Sequence, residues 1–146
     1  YNCLKDGINA IEKFKKLIFV FPEDLRHPIS SIEYFKLFCI DFGFEYVIVR
    51  KNAEWKGVES GCLYLFITAE DMVKIVKDAD KVGYKLGNEI GLIAYNEDPV
   101  LEIIKNGISS ISIDFGLMGE KAAEFVKSKI VIQEYLPTKL IIRGSI

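Results

Sequence analysis

Apolar positions recur at helical spacing from the first turn of the chain, at Leu4, Ile8, Ile11 and Phe14. Leu17 to Phe21 is an unbroken apolar run closed by Pro22-Glu23-Asp24, as in a strand buried on both faces. Pro28 opens a second helix whose stripe runs Ile32, Phe35, Phe38, Cys39 and Phe42, with Gly43 where helices end. Phe44 to Val49 predicts a second strand, Arg50 to Gly61 lacks any period and reads as a loop, and Leu63 to Ile67 predicts a third strand. Met72, Ile75, Val76, Ala79 and Val82 form the stripe of the next helix, which Gly83 stops. Ile90 to Tyr95 is the fourth strand, and Pro99 to Lys105 a short helix or turn. Ile108 to Ile113 alternates, with serines on its other face. Phe115, Met118, Ala122, Phe125 and Val126 mark a last amphipathic helix, and Leu140 to Arg143 a short closing strand. Helices alternating with solid apolar strands predict an α/β fold, a Rossmann-like parallel sheet with helices on both faces and right-handed connections.

Composition narrows what this fold can do. The 146 residues are 50% hydrophobic and carry 21 acids against 19 bases, a net charge of -2. One domain of that size fills a core without disulfides, and phosphate contacts need the basic surplus that is missing here. Any DNA contact must come from a domain outside this chain. No apolar run reaches the roughly 20 residues of a membrane span, and no export signal opens the chain, so the reading is cytoplasmic, without membrane contact. Cys3, Cys39 and Cys62 sit among apolar neighbours with no CxxC spacing, as buried thiols do. The chain starts at Tyr1 with helical spacing already running, as expected of a piece cut from something longer.

Ligands of open parallel sheets bind beyond the carboxyl ends of the strands. That places the candidate chemistry in Pro22 to His27, Thr68 to Asp71, Asn96 to Asp98, and Asp114. Arg26, His27, Thr68, Glu70, Asp71, Asn96 and Asp114 suit hydrogen bonding to the hydroxyls of a small polar ligand, and the same residue types also cap helices and turn the chain. No GxGxxG or GxxxxGK[ST] supplies a phosphate cradle, and no GxSxG marks a nucleophile elbow. A single histidine, His27, leaves no triad and no multi-histidine metal site. A phospho-acceptor receiver would need an Asp after the third strand, where Ile67-Thr68-Ala69-Glu70 stands. No enzyme, metal or cofactor is implied. Trp55, beside Arg50, Lys51 and Lys56, suits either stacking on a sugar or partner, or folding back over the core.

Three segments carry a family resemblance. Gly83-Tyr84-Lys85-Leu86-Gly87-Asn88-Glu89-Ile90-Gly91-Leu92-Ile93-Ala94-Tyr95-Asn96-Glu97 resembles the glycine-punctuated stretch ending in Gly-Tyr-Asp-Asp of LacI/GalR-type sensor domains. Ile111-Ser112-Ile113-Asp114-Phe115-Gly116-Leu117-Met118-Gly119 resembles that family's Thr-Thr-Val-x-Gln-Asp-x-x-x-Met-Gly segment, and Leu136-Pro137 with Leu140 to Ser145 its Leu-Pro-x-x-Leu-Val-x-Arg-x-Ser terminus. The lysine- and isoleucine-rich style is closer still to Bacteroidetes regulators in which a GntR-type winged helix precedes such a sensor.

The resemblance implies a lobe of the periplasmic-binding-protein type I fold, in which two Rossmann-like lobes joined by crossovers close on a sugar or sugar derivative. Residues 1–146 would then be a partial effector-binding domain, mainly the C-terminal lobe. The helix over 114–128 would belong to the absent lobe, its apolar stripe left without a native partner. Asn96 takes the place of the family's sugar-binding Asp; Thr68, Glu70 and Asp71 fall near its Asn-Asp pair. Ser31 falls where the family has a cleft arginine, with Arg26 and His27 as the substitutes, and Asp114 and Phe115 keep the cleft-lining crossover pattern. The implied function is a non-enzymatic effector sensor of a regulator, dimeric through the Met72–Val82 helix and its adjoining strand. A solute-binding protein of sugar transport is the alternative, and a small α/β enzyme a more distant one.

Overall fold

The computed structural model describes residues 1–21, 23, 27–50 and 54–146. Its elements run α1 (Asn2–Asp6), α2 (Ile8–Ile11), β1 (Lys16–Val20), α3 (Ser30–Phe42), β2 (Glu45–Val49), β3 (Cys62–Phe66), α4 (Ala69–Val82), β4 (Ile90–Tyr95), α5 (Val100–Ile103), β5 (Ser109–Ile113), α6 (Phe115–Ser128) and β6 (Thr138–Ile141). The strands form a six-stranded sheet in the order β2-β1-β3-β4-β5-β6. The first five are parallel and β6 is antiparallel to β5. The predicted α/β class and order of elements are those of the molecule.

The strands read as solid apolar runs because successive side chains enter two different cores. Leu17, Phe19, Leu63, Leu65 and Ile93 meet α1, α2 and α3 through Leu4, Ile11, Ile32, Phe35 and Phe38. Ile18, Val20, Tyr64, Phe66 and Leu92 meet α4 and α5 through Met72, Ile75, Ala79 and Leu101. At Gly91 the sheet has room for no side chain, since an added Cβ would lie 2.6 and 2.7 Å from ring carbons of Phe14. All three cysteines are buried, and desolvation pushes the Cys39 thiol up to about 12.

Two local readings change in the fold, and two left open are decided. The single N-terminal helix is two short ones broken at Gly7, where an added Cβ would collide with Leu140 of β6. Val82 ends α4 exposed rather than in its stripe. Ser109, Ser110 and Ser112, the other face of the alternating segment, are buried, and each finds a hydrogen-bond partner. The Ser145 hydroxyl donates to the Leu92 carbonyl (2.7 Å) and accepts from the Ser109 amide (2.8 Å), and Ser110 donates to Glu97. Trp55 folds back: it packs on the second core, its indole N–H donates to Asp78 (2.8 Å), and the Lys74 ammonium sits 4.8 Å over its ring. In this way the described part of the β2-to-β3 crossover packs its tryptophan against the second core.

Candidate ligand-binding site

β1, β3, β4 and β5 are consecutive parallel neighbours, so their carboxyl ends lie along one edge of the sheet. Each then turns into polar chain. After β1, Phe21 and His27 lead into the N-terminus of α3, where the Ser31 hydroxyl donates to the Pro28 carbonyl (2.7 Å). The His27 ring lies edge-on to Tyr95 at the end of β4 (4.4 Å) and to Phe21 (5.7 Å). Its Nε2 is buried without a hydrogen-bond partner among the described residues. Burial also holds its pKa below the usual value, because desolvation disfavours the charged ring. A buried nitrogen without a partner costs free energy that a ligand hydroxyl would recover. The Arg50 guanidinium, 5.9 Å over the Phe21 ring, leaves its Nε in the same condition.

Beneath this rim a cavity of about 330 Å³ opens between α1, α3 and the strand ends, lined by Ser31, Tyr34, Phe35, Phe19, Tyr95, Ile111 and Thr138 among others. That is within the range of small-ligand sites, roughly 300–1,000 Å³. Aromatic faces with a few hydroxyls, and the imidazole packed against Tyr95 beside them, suit a ligand with apolar ring faces and polar edges.

The other expected residues stand on the same edge with local duties. The Thr68 oxygen caps α4 by accepting from the Asp71 amide (3.1 Å) and its hydroxyl donates to the Asp71 carboxylate (2.6 Å). Glu70 projects from the exposed first turn beside them. Asn96 adopts the left-handed conformation (φ 74°), which asparagine tolerates better than most residues with a side chain, and its backbone amide donates to the Ile111 carbonyl. Asp114 caps α6 by accepting from Leu117 (3.0 Å), and Phe115 follows it, half exposed. Arg26 lies outside the described residues. The structure thus brings Ser31 and Tyr95 together around one cavity, packs His27 against that Tyr95, and sets Thr68, Glu70, Asp71, Asn96, Asp114 and Phe115 along the same edge. Sequence reasoning missed Phe21, Tyr34, Tyr95 and Arg50, which single aromatic or loop positions do not announce; only the parallel register joins them.

Glu97 faces away from this edge. Burial alone would raise its carboxyl, but hydrogen bonds from Arg143 (2.6 and 3.2 Å) and Ser110 outweigh it and hold the pKa below the usual range. Among the described residues, no group of three or more His, Cys, Asp or Glu is placed to hold a metal ion.

No family model matches the sequence, and no curated protein matches it. Solved structures do match in fold. A LacI family transcriptional regulator from Bifidobacterium animalis aligns with TM-score 0.77 at 14% identity, over 99% of this chain and 60% of its own. A periplasmic binding protein/LacI transcriptional regulator from Alkaliphilus metalliredigens, complexed with D-xylulofuranose, aligns at 0.75 and 12% identity over 99% of this chain and 62% of its own. A LacI family regulator from Arthrobacter in complex with lactose gives 0.73 and 11%, over 99% and 63%. The chain has the fold of a LacI-type, periplasmic-binding-protein-like ligand-binding domain. It spans about three fifths of the length of these structures. Among the described residues, no helix is long and apolar enough to cross a membrane.

Proposed function

We propose that this chain is the larger part of the effector-sensing domain of a transcriptional regulator, binding a sugar or sugar derivative rather than transforming one. The observation that carries the reading is the rim after β1 and β4, where His27 Nε2 lies buried without a partner among the described residues and the His27 ring packs edge-on to Tyr95, which lines the 330 Å³ cavity. The fold it shares with regulators crystallised with D-xylulofuranose and lactose supports the same class of ligand. Ser31, Thr68, Glu70, Asp71, Asn96, Asp114 and Phe115 would supply the remaining contacts. Ser31, in the place of the family's arginine, and Asn96 make the site less charged. The α6 helix, which buries none of its residues, fits a return helix of a second lobe that closes over the ligand. The finer reading is a cytoplasmic regulator with a GntR-type winged helix upstream, supported by the sequence style and by the lack of a basic surface here.

The test is calorimetric titration of the intact regulator with pentoses, hexoses and their phosphates. At least one is expected to bind, and His27→Ala to weaken it roughly tenfold. Binding unchanged by that substitution and by Tyr95→Ala would remove the site. A panel without binders, together with an upstream reading frame that encodes an export signal instead of a winged helix, would overturn the regulator.

A further inference from the structure

β4 leaves the sheet through three residues with three different surroundings. Tyr95 lines the cavity, Asn96 is exposed on the strand-end edge, and the Glu97 side chain is drawn back into the molecule. Among the described residues, Asn96, Lys105 and Lys129 have positive φ without being glycine. Lys129 closes α6, and Lys105 forms an ion pair with Asp80 (2.7 Å). The Asn96 carboxamide has no partner among the described residues. A left-handed residue with a side chain persists where its surroundings hold it there.

Two attachments hold this turn. The Asn96 amide donates to the Ile111 carbonyl (2.8 Å), one step beyond the Tyr95↔Ile111 pair that ends the β4–β5 ladder. On the far side the Glu97 carboxylate accepts both arms of the Arg143 guanidinium (2.6 and 3.2 Å) and the Ser110 hydroxyl. Arg143 is itself fixed: it donates to the Ile108 carbonyl (2.9 Å) and to Glu102 (3.3 Å), and its backbone amide donates to Ser109 Oγ (2.9 Å). Two residues on, the Ser145 carbonyl accepts from the Leu92 amide (3.0 Å), just before the β4–β5 register begins at Ile93↔Ser109. The chain end is thus wedged between the two strands, and it carries Arg143 to the turn. With Arg143 only 16% and Glu97 23% exposed, water screens the pair weakly.

We infer that Glu97 and Arg143 are the positioning pair of the candidate site, fixing the turn that presents the Asn96 carboxamide to a ligand hydroxyl. The inference rests on the sugar-binding reading, in which Asn96 is a contact. Glu97 touches no ligand, because its oxygens are turned to Arg143 and Ser110; it acts through its neighbour. Without that anchor Asn96 would relax to the right-handed or extended backbone that a residue with a Cβ prefers, and its carboxamide would point elsewhere. Ordering the turn before the ligand arrives lowers the cost of binding. The competing role, tying down the chain end, is already filled without Glu97 by the bonds of Ser145 to Leu92 and Ser109 and of the Gly144 amide to the Asn106 carbonyl (3.1 Å). Asp98 caps α5 through the Val100 amide (2.9 Å), which holds the chain after the turn and leaves Asn96 to Ile111 and Glu97.

The test is hydrogen exchange of the intact protein, resolved to single amides, in Glu97→Gln and Arg143→Lys. Glutamine keeps the shape and loses the charge; lysine keeps the charge and loses the fork. The readout is the exchange rate of the Asn96 amide divided by that of Leu65 in β3, the centre of the sheet. Both variants are expected to raise this ratio about tenfold or more, and Ile75→Ala, which weakens the whole fold, is not. No change in the ratio in either variant, or an equal rise in Ile75→Ala, overturns the proposal. Calorimetry with pentoses, hexoses and their phosphates reads the same step at the ligand. Glu97→Gln is expected to weaken the bound sugar about tenfold where Asn96 is present and to add nothing in Asn96→Ala, because it acts through that side chain. Fully additive losses overturn the positioning role. A panel without binders overturns the proposed function and the part of the pair in binding, while the exchange ratio still decides whether the pair holds the turn.

Discussion

α4 and α6 are each 14 residues long, each begins with a side-chain cap, and each ends in a left-handed residue, Gly83 or Lys129. Both carry an apolar stripe at helical spacing. α4 buries Met72, Ile75 and Ala79 against the sheet; α6 buries nothing, and Phe115, Met118 and Phe125 stand 44, 42 and 43% exposed. Local physics makes both helices, and only one has a surface to meet. The difference teaches that an amphipathic stripe reports what a segment can bury, not whether its partner is within the same chain.

The sharpest way to break this comparison is to empty one stripe at a time. Ile75→Ala removes a fully buried side chain and is expected to cost about 2–5 kcal/mol, read as a lower urea midpoint. Phe125→Ala is expected to stay within about 0.5 kcal/mol. A comparable loss from Phe125 would mean that α6 is covered after all.

The caps give a smaller contrast. Thr68→Ala is expected to cost about 1 kcal/mol of global stability, because α4 melts with the core. Asp114→Ala loosens a helix that the core does not hold, so it should reduce the far-ultraviolet helical signal and leave the midpoint of cooperative unfolding in place. A shift of that midpoint equal to the Thr68 variant's would join α6 to the folded unit.

The smallest effect concerns how the chain comes back after α6. Arg143 reaches Glu97 at 2.6 Å and the Ile108 carbonyl at 2.9 Å, and so fastens the end beyond β6 to the sheet. Glu97 titrates below its usual range in the fold, so its contribution is present above the unfolded-state value and is lost as pH falls through the lower folded one. Urea midpoints of the parent should therefore converge on those of Glu97→Gln as the solution is acidified, and parallel curves would show that the carboxylate adds nothing.

Much of the fold was legible. Glycines at 43 and 83 and the apolar runs of β1, β3 and β4 carry their meaning within a few residues, because capping and burial periodicity are local. Gly7 was not legible as a break, since its reason is Leu140, far along the chain. Nor were the buried serines: their partners are Ser145 and Glu97, and a serine satisfied by a distant residue looks the same as a solvated one. The site divides the same way. His27 was found by its position after a strand and Ser31 by the family resemblance, whereas Tyr95 gains its place by lining the cavity and Phe21 by ring contact with His27.

By itself the sequence determined the order of elements, the α/β class and the polar turns where a ligand would sit, because propensity, caps and alternation act over a turn or two. Tertiary structure decided which stripe is covered and which aromatic rings gather around the lone histidine. Those outcomes depend on strand order and on residues many positions apart, and short-range patterns carry no record of either.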